Sequence, residues 1–127
     1  MKYIKLFEEF NSIRDKALTD EGSIQTLINK ERKIGVISVE KKNLNKYSKL
    51  FKEHDLEFFS LNQKNHPHNK LLIIYHPEAK EDASRLEAFA KSRGGYLDDK
   101  NEREARMIGR LLSYSESDIN KYIQKYK

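Results

Sequence analysis

Three short apolar runs separated by amphipathic stretches constrain this chain more than anything else in it. Lys33 to Glu40 (KIGVISVE) is dense in β-branched residues and predicts a strand with both faces partly buried. Leu56 to Leu61 (LEFFSL) and Lys70 to His76 (KLLIIYH) predict a second and a third. Between the first two, Asn43 to His54 places Leu44, Tyr47, Leu50 and Phe51 on one helical face and Lys46 and Lys49, with Lys42 before them, on the opposite one. Asn62 to Asn69 has the composition of a hairpin loop. After the third run, Pro77 suits the first turn of a helix that reaches about Arg93. Ala79, Ala83, Leu86, Phe89 and Ala90 point inward from it, and Gly94-Gly95 stops it. Tyr96-Leu97 is then a short edge strand. Strand, helix, strand, strand, helix, strand is the split β-α-β, ferredoxin-like order. It predicts an α+β fold: a four-stranded antiparallel sheet with two helices on one face, the flanking helices packing at its ends or on the open face.

The flanks read as helices. From Met1 to about Leu18, Tyr3, Leu6, Phe7, Phe10 and Ile13 recur at three- and four-residue steps. Thr19 to Ser23 is a break, and Ser23 suits the cap of a short second helix running to about Glu31. Asn101 to Ser113 is helical, and Ser115-Glu116-Ser117-Asp118 resembles a capping box opening a last helix. The 127 residues fit one domain with a helical N-terminal part (1–31), a mixed core (33–98) and a C-terminal helix pair (101–127).

Composition narrows the chemistry. The chain has no cysteine, which excludes disulfides, thiolate nucleophiles and cysteine-ligated zinc, and fits a reducing compartment. No apolar stretch approaches the ~20 residues that span a bilayer, and Glu8 and Glu9 interrupt any signal-peptide core, so a cytoplasmic location without membrane partners is expected. The net charge is +5, and it is unevenly placed: residues 33–75 hold eight basic side chains against four acidic ones, whereas the flanking thirds nearly balance. That balance permits an anionic partner without naming one.

Arg103, Arg106 and Arg110 fall at i, i+3 and i+7 of the predicted helix. A stripe of guanidinium forks suits phosphate or carboxylate recognition, the alternative being a solvated face paired with Glu102 and Glu104. Tyr75, Tyr96 and Tyr114 are candidate stacking partners for a base or ribose. Lys42, Lys46 and Lys49, with Lys41 and Lys52 beside them, admit nucleic-acid binding or a plain solvated face. The strands argue against an RNA-recognition motif, since KIGVISVE carries no aromatic residue. His66 and His68 are weak metal candidates without a third ligand at characteristic spacing; a proline-stiffened turn is the alternative. Asp98, Asp99 and Glu102 form an acidic cluster able to hold Mg²⁺ or simply to cap a helix. No nucleophile elbow, glycine-rich phosphate loop or zinc-protease helix is present, so no cofactor is expected and catalysis is poorly supported.

Met1-Lys2-Tyr3-Ile4-Lys5-Leu6-Phe7-Glu8-Glu9-Phe10 resembles the opening helix of small accessory proteins of tailed bacteriophages. That resemblance covers ten residues and implies an origin; such proteins commonly act by binding. The leading expectation is a non-catalytic protein that sequesters a small anionic ligand, such as a host signalling nucleotide, in a pocket at a homo-oligomer interface. Alternatives are an inhibitor that docks on a host enzyme through the lysine face and the N-terminal helix, a small metal-dependent phosphodiesterase or nuclease using His66, His68 and Asp98-Asp99, and a nucleic-acid binder.

Overall fold

The structure, a computed structural model, describes residues 20–126 apart from 98 and 113; the expected N-terminal helix lies outside them. Five helices and three strands follow in order: α1 (Asp20–Ile28), β1 (Ile34–Glu40), α2 (Leu44–Glu53), β2 (Glu57–Gln63), β3 (His66–Tyr75), α3 (Lys80–Ser92), α4 (Glu102–Leu111) and α5 (Glu116–Tyr126). The strands form one antiparallel sheet in the order β1-β3-β2. Strand β3 thus enters between the two strands that α2 connects, which is the split β-α-β arrangement of a small α+β fold.

Leu71 to Tyr75 are buried at every position, so β3 presents apolar side chains to both sides of the sheet. Alternation sorts them. Leu71, Ile73 and Tyr75 join Ile34, Val36 and Leu61 in a cluster completed by α3, α4 and α5. Leu72 and Ile74 join Ile37 and Val39 under α1 and α2, with Leu27 and Phe51 fully buried there. Each such side chain contributes about 1.5–3 kcal/mol on leaving water. Helices therefore cover both faces, but α2 and α3, expected side by side on one face, lie on opposite ones. The reason is in β3 itself, whose both faces are greasy.

Local chemistry sets the element ends. Pro77 opens a 3₁₀ turn before α3, and Gly94 and Gly95 end that helix with φ of +72° and +90°. The Asn101 side chain accepts from the Glu104 N–H at 2.9 Å while Glu104 accepts from the Lys100 N–H at 2.8 Å, fastening the start of α4. Ser115 Oγ accepts from the Asp118 N–H at 3.1 Å, as the capping pattern predicts.

Three local readings are corrected. The eight-residue hairpin loop is instead a two-residue turn, Lys64-Asn65, with Asn65 at φ +69°. His66 to Asn69 belong to β3, where an irregular register absorbs Pro67, whose missing N–H a regular ladder would not tolerate. Tyr96-Leu97 is not a strand among the described residues: Leu97 is fully buried as a core anchor, and the Tyr96 hydroxyl donates to the Lys64 carbonyl at 2.8 Å. The two left-handed glycines send the chain across the hairpin end. Helix α1 begins at Asp20, inside the stretch expected to be a break, and is followed by Lys30 at φ +61°.

Candidate functional site

A groove of roughly 480 Å³ lies where the C-terminal end of α3 meets the outer edge of β2. Ser60 to Lys64 form one side; Lys91, Gly94 and Gly95 form the other. The two sides are stitched together. The Lys64 N–H donates to the Gly94 carbonyl at 2.8 Å, and Gln63 Nε2 donates to the Gly95 carbonyl at 3.2 Å. Gln63 is nearly fully buried and also accepts from the Ser38 hydroxyl at 2.8 Å, so both ends of its amide are used. A Cβ on Gly95 would stand 2.0 Å from the Asn62 carbonyl oxygen, so only glycine lets the backbones approach this closely.

Two ammonium groups flank the groove. Lys64 lays its stem on Gly94 and is exposed beyond it. Lys91 makes a loose surface pair with Glu87 at 3.7 Å, an interaction that water screens and a ligand can exchange. Tyr96 adjoins the groove through its hydrogen bond to Lys64; its ring is half-buried and meets His66 edge-on at 6.2 Å. Burial raises the Tyr96 hydroxyl pKa, which keeps it protonated and donating.

The other residues singled out from sequence lie elsewhere. Arg106 donates from Nε and Nη2 to Glu102 at 3.1 and 2.8 Å, and from Nη1 to Asn120 at 2.8 Å. Arg110 grips Glu116 with a shortest contact of 2.7 Å, tying α4 to α5. That hydrogen-bonded pairing raises the Arg110 pKa and lowers that of Glu116. Arg103 is exposed without an ion-pair partner among the described residues. Tyr75 is 2% exposed, its hydroxyl donating to Glu57 at 3.2 Å, and burial first, then Glu57, raises its pKa. Tyr114 is also buried. Of the three tyrosines, only Tyr96 borders the groove.

His66 and His68 are exposed on β3, and among the described residues no three His, Cys, Asp or Glu side chains converge as a metal requires. Of the acidic cluster, residue 98 is outside the described set. Asp99 is buried and accepts from the Tyr122 hydroxyl at 3.1 Å, holding α5 to the loop before α4. Lys41, Lys42, Lys46, Lys49 and Lys52 are all exposed along α2 and the turn before it; Lys42 approaches Glu40 at 3.3 Å.

No protein-family model matches the chain. No curated protein matches it either. Among solved structures, it is similar to the bacterial cysteine methyltransferase effector NleE, with a TM-score of 0.68 and 19% identity over 98% of this chain and 74% of that one. The shared property is the fold. Among the described residues no helix is long and apolar enough to cross a membrane.

Sequence reasoning missed Lys64 and Lys91 because neither carries a local mark. The Gly94-Gly95 pair was visible as a helix stop, and its second role depends on what the chain meets after turning.

Proposed function

We propose that this protein binds an anionic ligand, without catalysis, in the groove between the β2 edge and the end of α3. The observation that carries the reading is a concave site of roughly 480 Å³ flanked by Lys64 and Lys91. Its size falls within the ~300–1,000 Å³ of ordinary small-ligand clefts. Tyr96 supplies an aromatic edge beside it. The N-terminal resemblance to phage accessory proteins supports a sequestering role in the host cytoplasm, with a signalling nucleotide as one instance.

Native mass spectrometry of gently purified protein tests for a retained ligand and for oligomeric state. Calorimetric titration with ATP and pyrophosphate then compares wild type with Lys64→Ala/Lys91→Ala. Binding that weakens about tenfold or more, and weakens further with salt, is expected. Loss on Arg103→Ala/Arg106→Ala instead would move the site to α4. No retained mass and no heat would reject the reading.

A second reading starts from NleE, which is described as a cysteine methyltransferase effector. A shared fold often hosts different functions, so methyl transfer to a host protein is the enzymatic alternative. Incubation with labelled S-adenosylmethionine and host lysate tests it: label in a lysate protein, dependent on this chain, would replace the non-catalytic reading.

A further inference from the structure

We infer that the anionic ligand of this groove is an extended acidic peptide segment, which adds to the open edge of β2 as a fourth strand. The inference rests on the groove being the binding site and names what occupies it.

The hydrogen-bonding direction of each strand follows from two observations. The His76 N–H donates to the Lys33 carbonyl, so even-numbered residues at this end of β3 point their backbone groups toward β1. Backbone direction alternates along a strand. Leu71, Ile73 and Tyr75 therefore bond toward β2, where their partners are Leu61, Phe59 and Glu57. It follows that Phe58, Ser60 and Asn62 turn their N–H and C=O groups away from the sheet. Gly95 independently agrees, since it sits against the outward carbonyl of Asn62. That contact closes the edge at Asn62 and leaves Phe58 and Ser60 with unpartnered backbone groups among the described residues.

The two sheet edges are treated differently. Strand β1 is buried at its first four positions, whereas β2 exposes Glu57, Ser60 and Asn62 and half-exposes Phe58 and Phe59. Strand β2 also lacks the proline and charged centre that commonly protect an edge, and its register irregularity falls at the Asn62-Gln63 end that Gly95 already closes. An edge with outward backbone groups beside a groove is the geometry of β-strand addition, in which main-chain bonds give affinity and flanking side chains give specificity.

Charge selects the occupant. Lys64 and Lys91 stand at the closed end of the edge and favour carboxylates there. Glu57, exposed at the opposite end, disfavours them. The segment that fits alternates apolar and polar residues, meets Phe58 on one face and Phe59 on the other, and carries its acidic residues at one end only.

The probe is a fluorescein-labelled octapeptide of alternating Val and Thr ending in two Glu, titrated into the full chain by fluorescence anisotropy. Two versions are N-methylated at alternate amides. One should lose affinity by about tenfold or more, because its methyls replace bonds to β2, and the other should not. Lys64→Glu/Lys91→Glu should weaken the acidic peptide and favour one ending in two Lys. Ser60→Pro, which removes an outward N–H, should also abolish binding.

Equal behaviour of the two N-methylated peptides would overturn strand addition. Lysine-dependent binding of ATP or pyrophosphate without peptide binding would overturn it too, while leaving the groove as the site. Failure of every probe would reject both readings. Self-association abolished by Ser60→Pro, with no peptide bound, would assign the edge to a second copy of the chain and overturn the peptide.

Discussion

Gly95 concentrates the constraints on the site into one residue. It stands at φ +90°, where a side chain is strained, and a methyl group there would meet the Asn62 carbonyl carbon at 2.9 Å as well as its oxygen. The backbone on the other side is held by Gln63 and Lys64, so it cannot retreat without breaking two hydrogen bonds. Gly95→Ala should therefore cost about 2–3 kcal/mol in urea denaturation, and more than Gly94→Ala. At Gly94 the nearest neighbour of an added Cβ is the Lys64 side chain, at 3.2 Å. An equal or smaller loss at Gly95 would mean that the hairpin end moves freely.

Helix α4 begins on a small network, and its pH response belongs to that element. Burial pushes the Glu104 carboxyl up, but the Lys100 N–H and the Arg93 guanidinium outweigh it and hold the pKa below its ordinary value. The unfolded chain therefore takes up this proton first as pH falls. The contribution of Glu104 is full above the ordinary carboxylate range and is lost as pH falls through the lowered folded value. Urea midpoints of wild type and Glu104→Gln should differ at pH 7 and converge in acid. A gap independent of pH would indicate lost packing instead. The same element shows how far sequence reading reaches: the spacing of Arg103, Arg106 and Arg110 was legible as a stripe, but Glu102 and Glu116 engage two of the three. Glu102 is local, four residues away. Glu116 reaches Arg110 only because α5 folds back on α4.

Across the whole molecule, the sheet divides the hydrophobic core into two halves. Leu71 and Leu72 are neighbours in sequence, both fully buried, and they point into opposite halves. Leu71→Ala and Leu72→Ala should each cost about 3 kcal/mol, because each leaves a cavity between sheet and helix. A sheet covered on one face only would make one of the two changes cheap, and thermal or urea denaturation of the pair distinguishes the cases. The cover on both faces was implicit in the unbroken Leu71–Tyr75 run, although strand order alone suggested α2 and α3 on a single side.

Sequence by itself determined the three main strands and the helices from α2 to α5, their split β-α-β order, the stop at Gly94-Gly95 and the cap at Ser115. Those features arise from interactions within a few residues, so periodicity and turn chemistry report them directly. Tertiary structure alone decided that Tyr96-Leu97 crosses the hairpin end, that Gly95 stands against Asn62, and that Lys64 and Lys91 share one groove. Each of these depends on two segments about thirty residues apart meeting in space. Local propensity says nothing about such a meeting, which is settled by the burial of both faces of β3 and by the one residue, Gly95, small enough for the backbones to touch.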